Sequence, residues 1–140
     1  MSAAPARFRV GLTRDLLTAS GEPSFGRIPL AQIETERGLD QVDKIAAVDG
    51  VDVLWVGHFD LSNFMGIPAR FDDPRFDAAM RKVADVAKRH GKAAGFMATD
   101  AAWIARVREM GYTMIAGGTD TGLLEAAMKS LVGCIEAPAR

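Results

Sequence analysis

Residues 51–62 read VDVLWVGHFDLS: Val51, Asp52, Val53, Leu54, Trp55 and Val56, then Gly57, His58, Phe59, Asp60, Leu61 and Ser62. The first six are almost all apolar, with β-branched and aromatic side chains prominent. Such a run, stopped by a glycine, predicts a strand covered on both faces, the kind found in parallel sheets. Upstream, Leu30, Ala31, Gln32 and Ile33 predict a shorter strand that ends at Glu34. Between the two strands, residues 39–48 place Leu39, Val42, Ile45 and Ala46 on one face of a helix. Strand, helix and strand in that order predict a parallel crossover.

The alternation continues downstream. Residues 57–71 are expected to form a loop. Asp73 followed by Pro74 is an N-cap with proline at the first helical position. The helix it opens is expected to run to about His90, with Phe76, Met80, Val83 and Ala87 buried and Gly91 as its stop. Residues 92–98 predict a strand. Thr99 or Asp100 then caps a helix ending near Met110, with Gly111 as its stop. Residues 112–116 predict another strand, and Gly117-Gly118-Thr119-Asp120 leads into a last helix over 121–132, followed by a weak tail. Towards the start, residues 8–12 are expected as a short strand and 15–19 as a helical turn. Residues 20–24 carry turn chemistry. The expected organisation is an N-terminal segment, 1–27, and a domain of four strand–helix units, 28–140. The fold class is α/β, with parallel strands and helical crossovers. Ligands of such folds bind at the C-terminal ends of the strands, here at Glu34 and Thr35, Gly57 to Asp60, Ala98 to Asp100, and Gly117 to Asp120.

Composition narrows the function classes. Seventeen Lys and Arg against eighteen Asp and Glu give a net charge of −1, with the bases dispersed among acids. Nucleic acid rewards a concentrated basic face, so it is not an expected partner. No apolar run is long enough to span a bilayer, and Met1-Ser2-Ala3-Ala4-Pro5 lacks the pattern of a secretory signal. Cys134 is the single cysteine, which excludes an internal disulfide and a cysteine-cluster zinc site. The expected location is the cytoplasm.

The strand ends hold the chemistry. Glu34 closes one strand and Asp60 follows the next, so a parallel pair would bring two carboxylates near each other. Close carboxylates repel unless one is protonated or a cation lies between them. A hard divalent cation suits two carboxylates plus waters and substrate oxygens; the alternative is a pair of helix caps or surface acids. Gly57 lets backbone N–H groups approach an anion, or simply makes a tight turn. His58 reads as a general base or, preferably, a partly exposed loop residue. His90 suits a helix C-terminus and reads as structural. Gly117 to Asp120 is a weak phosphate signal, without lysine or Walker spacing. Trp55 and Phe96 alternate within strands and read as core in preference to a substrate platform. Cys134 has no partner that would make it a nucleophile.

From Leu30 onward the chain resembles the HpcH/HpaI aldolases, the metal-dependent class II pyruvate aldolases. The resemblance is carried by Gln32-Ile33-Glu34-Thr35, Gly50-Val51-Asp52, Val56-Gly57-His58-Phe59-Asp60-Leu61-Ser62 and Met65-Gly66. Gly91-Lys92-Ala93-Ala94-Gly95 and Gly117-Gly118-Thr119-Asp120 fit further downstream. The resemblance implies a (β/α)8 TIM-barrel type fold, of which this chain holds about half. It implies a divalent metal ion (Mg2+, or Mn2+ or Co2+) on Glu34 and Asp60. It also implies a 2-oxo acid site at Gly57 and Phe59, with Gln32 beside it. The implied activity is a carbon–carbon lyase that cleaves or forms 4-hydroxy-2-oxo acids through a metal-bound pyruvate enolate, with pyruvate and an aldehyde as small-molecule partners. A homo-oligomer is implied too, since an open half-barrel would expose apolar edges.

The family also uses a His and an Arg from the first half of the barrel, and neither block has a counterpart here. The catalytic base is therefore unassigned. Two other readings stand beside the lyase: a catalytically impaired remnant that binds metal and 2-oxo acids or joins subunits, and a citrate-lyase-like enzyme acting on CoA esters.

Overall fold

The computed structural model describes residues 28–136. The strand expected at 8–12, the turn at 15–19 and the segment 1–27 lie outside the described residues. The elements are β1 (Leu30–Ile33), α1 (Glu36–Asp40), α2 (Val42–Ala46), β2 (Val53–Val56), α3 (His58–Phe64), α4 (Pro74–Arg89), β3 (Ala93–Met97), α5 (Ala101–Glu109), β4 (Met114–Ala116) and α6 (Asp120–Glu136).

The four strands form one sheet in the order β1-β2-β3-β4, every pair parallel. The apolar run from Val53 to Val56 lies inside it, with β1 and β3 as neighbours. Alternation divides the side chains between two faces. One face, with Ile33, Leu54, Val56, Ala94 and Phe96, is buried against Val42 and Ala46 of α2 and Phe76, Met80, Val83 and Ala87 of α4. The other carries Gln32, Trp55, Gly95 and Met114, side by side in register.

Local chemistry sets the helix ends. Asp73 accepts a hydrogen bond from the Arg75 N–H at 2.9 Å, with Pro74 behind it. Of the two candidate caps for α5, it is Asp100 that accepts from the Trp103 N–H, at 2.8 Å. Gly91 and Gly111 take positive φ values of 65° and 94° just beyond α4 and α5, where a left-handed residue closes a helix.

Several expected boundaries shift. The helix placed at 39–48 begins at Glu36, because the Thr35 hydroxyl accepts from the Gly38 N–H, and it breaks in two at Gln41 (φ −95°, ψ 6°). The expected loop at 57–71 contains α3, whose buried Leu61 and Ser62 hold it on the core. Tyr112 precedes β4 rather than joining it: its hydroxyl donates to the Met80 carbonyl at 3.0 Å, which ties the turn to α4. The last helix continues to Glu136, and none of its residues is buried.

Candidate active site at the ends of β1 and β2

Pairing of Ile33 with Val56 decides the site. The Gly57 N–H donates to the Ile33 carbonyl at 3.1 Å, so the next residues, Glu34 and Gly57, lie side by side. A Cβ at position 57 would stand 2.8 Å from Gln32 Nε2, 3.0 Å from Glu34 Cβ and 3.3 Å from Glu34 Oε2. Gln32 Nε2 also donates to Glu34 Oε2 at 2.7 Å and so orients the carboxylate. Glycine at 57 lets the Gln32 amide and the Glu34 side chain pack against the backbone.

Gly57 is also the N-cap of α3. Its carbonyl accepts from the Leu61 N–H at 2.8 Å, closing the first turn, and Asp60 stands exposed in that turn. The amides at this end, Phe59 among them, have no carbonyl one turn upstream within the helix. The Ser62 hydroxyl donates to the Phe59 carbonyl at 2.8 Å and accepts from the Ala69 N–H at 3.0 Å, which fixes the turn from behind. Thus β1 and the residue after it supply Gln32 and Glu34, and the N-cap and first turn of α3 supply Gly57, Phe59 and Asp60.

His58 overturns its expected place in a loop. It opens α3 and is 8% exposed. Its ring meets Phe59 at 4.5 Å, Phe96 at 4.8 Å, Phe71 at 5.3 Å and Trp103 at 6.1 Å, centroid to centroid. Burial disfavours the charged ring and lowers its pKa, while the charge of Asp60 acts in the opposite direction. The ring fastens the N-terminus of α3 to β3 and α5. Phe59 is 57% exposed and leans edge-on against Phe71.

No ion pair engages Glu34 or Asp60 among the described residues. Nor do those residues hold a group of three or more His, Cys, Asp or Glu side chains suited to a metal. Glu34 lies beside Gly57 and Asp60 follows three residues later in the first turn of α3; carboxylates are the donor type a hard divalent cation takes alongside water or substrate oxygens. The other sequence candidates lie elsewhere. Thr119 and Asp120 accept from the Gly122 and Thr121 N–H groups, so this segment caps its own helix. His90 sits 3.2 Å from Asp43, in keeping with a structural role, and Cys134 is exposed on α6. The aromatic cage of His58 was not legible in sequence, because its members are scattered over residues 59–103. A strand-interior glycine at 95 was a usable signal of close approach by Trp55.

Comparison with known proteins agrees with this arrangement of strands. The family described as HpcH/HpaI aldolase/citrate lyase matches residues 24–127. A 5-keto-4-deoxy-D-glucarate aldolase from Enterobacter sp. (strain 638) is 39% identical over 102 residues, covering 73% of this chain and 40% of that protein. Among solved structures, an HpcH/HpaI aldolase/citrate lyase family protein from Burkholderia cenocepacia J2315 superposes with a TM-score of 0.74 at 32% identity, covering 91% of this chain and 48% of the other. An HpcH/HpaI aldolase from Desulfitobacterium hafniense DCB-2 gives 0.69 at 33% identity, covering 80% and 44%. The chain therefore spans less than half the length of each of these three proteins.

Proposed function

The chain belongs to the HpcH/HpaI aldolase/citrate lyase family, and from that premise we propose that it supplies the metal-binding half of a lyase acting on 4-hydroxy-2-oxo acids. The observation that carries the reading is the register of β1 on β2, which sets Glu34 beside Gly57 and starts the turn bearing Asp60. Glu34 and Asp60 would hold Mg2+, Mn2+ or Co2+. A divalent cation bound there supplies Lewis-acid stabilisation of the charge that develops on the keto oxygen of a 2-oxo acid. Gln32 keeps one oxygen of Glu34 turned away from rotation by its 2.7 Å bond. On this reading the backbone at Gly57 and the amide of Phe59 would bind the substrate carboxylate.

In cleavage, the C3–C4 bond breaks as a base takes the C4 hydroxyl proton. An aldehyde leaves, and the pyruvate enolate is protonated at C3. The base is unassigned. The domain 28–140 is read as half of a (β/α)8 barrel, completed by association with further strand–helix units, in a homo-oligomer or otherwise.

The test needs no aldehyde. Uptake of deuterium into the methyl group of pyruvate in D2O is expected with Mg2+ or Mn2+, and is expected to vanish without metal or in Asp60→Asn. Folded protein without metal-dependent exchange would refute the lyase reading. A second reading, a remnant that serves as a subunit-interaction module, is favoured by α6, which exposes Leu123, Leu124, Met128, Leu131 and Ile135.

A further inference from the structure

The face of the sheet that carries Gln32 and Trp55 includes the indole among its apolar side chains. Gln32, Trp55, Gly95 and Met114 form a row in register, two residues back along the strands from Glu34 and Gly57. Gly95 allows the indole to lie across β3: a Cβ there would stand 2.5 Å from Trp55 Cε3, 3.2 Å from Cζ3 and 2.9 Å from Val53 Cγ1. Glycine weakens a strand interior and is found where another group must come close to the backbone. The indole is half-buried and lies on the face of the sheet that carries Gln32, two residues before Glu34. Strand rise puts its row roughly 6–7 Å beneath Glu34, about the reach of a short acyl chain. Gln32 is engaged by Glu34, and Met114 is a deformable side chain. Trp55 is the member of the row that cannot yield by rotating a flexible tail.

We propose that Trp55 is the floor of the 2-oxo acid pocket and limits the alkyl chain of the acid, admitting pyruvate and rejecting longer homologues. The inference rests on the lyase reading above. One extra or missing methylene in an apolar pocket is worth about 10- to 200-fold.

The experiment follows C3 proton–deuterium exchange of pyruvate, 2-oxobutanoate and 2-oxopentanoate by the whole chain with Mg2+. Trp55→Ala is expected to raise the rate with 2-oxopentanoate relative to pyruvate by at least about tenfold. An unchanged ratio in folded Trp55→Ala overturns the proposal. Should that variant fail to fold, Trp103→Phe leaves Trp55 as the sole indole, since the chain has two tryptophans. Saturating pyruvate with Mg2+ is then expected to change Trp55 emission, and a silent emission overturns the proposal. If the native chain exchanges none of the acids, the lyase reading fails and this inference with it. Exchange by the native chain, with selectivity and emission indifferent to Trp55, defeats this inference alone.

Discussion

Gly57 and Glu34 stand so close that a methyl group on the glycine would lie 3.0 Å from Glu34 Cβ and 3.3 Å from its Oε2. The first of these contacts is with a carbon next to the backbone and cannot be relieved by swinging a chain end. Gly57→Ala is therefore expected to strain the site by about 1–3 kcal/mol, the usual range for overpacking. Mn2+ affinity, read by electron paramagnetic resonance, should fall while the far-UV circular dichroism stays native. Native affinity in the alanine variant would show that the clearance is not needed.

The hydrogen bond from Gln32 to Glu34 gives a second prediction. A partner that orients a metal-binding carboxylate typically contributes about 10- to 100-fold in affinity. Gln32→Leu should lower Mn2+ affinity by that factor, and Glu34→Gln or Asp60→Asn by at least as much. Titration calorimetry would measure all three, and equal affinity across the set would remove the acids as ligands.

His58 offers a test between packing and proton transfer. Its ring fills a cage of Phe59, Phe71, Phe96 and Trp103. Truncation to alanine should cost roughly 2–5 kcal/mol in urea unfolding, as for other large buried side chains. Phenylalanine keeps the ring, and His58→Phe should stay within about 1.5 kcal/mol of native. Retained pyruvate exchange in His58→Phe assigns the ring to anchoring α3; exchange lost at native stability assigns it to proton transfer.

Acid stability should depend on Asp73. The Arg75 side chain, then its backbone N–H, hold the Asp73 carboxyl down to about 2 from its ordinary 3.8. A carboxyl lowered in the folded state binds protons more readily when unfolded, so its contribution is complete above 3.8 and is lost as pH falls toward 2. Asp77 acts in the same direction, lowered by Arg81 and Arg106. In Asp73→Asn, the fall of Tm between pH 4 and pH 2 should be shallower than in the native chain. Identical slopes would show that Asp73 is not a source of the acid lability.

Assembly can be read from sedimentation. The 15.0 kDa chain carries a last helix with no buried residue and a row of exposed Leu, Met and Ile. Species larger than the monomer are expected at micromolar concentration, and replacement of Leu124 and Leu131 by Glu should shift them toward monomer. A monodisperse 15.0 kDa native chain would contradict association.

Much of this was legible from periodicity and punctuation. The run at 51–56 reads as a covered strand, which the structure forms over Val53–Val56, and Asp73-Pro74, Gly91 and Gly111 mark helix ends with chemistry that depends on neighbours only. Glu34 and Asp60 could be singled out because strand ends are predictable. What failed were features decided at a distance. Nothing local says that residues 58–64 are helical; buried Leu61 and Ser62 and the cage around His58 decide it. Gln41 breaks the first helical stretch without glycine or proline. Tyr112 is drawn from the strand by a carbonyl 32 residues earlier.

Glu34, Gly57 and Asp60 all belong to one strand–helix–strand crossover and the turn that follows it. Under the lyase reading proposed above, the metal end of the chemistry would be a portable cassette. Gene fusion, duplication or deletion outside residues 30–64 would then change the strand–helix units around it, while the cassette is inherited whole. Chains of very different length can then share one acid pair and diverge in everything it is set against.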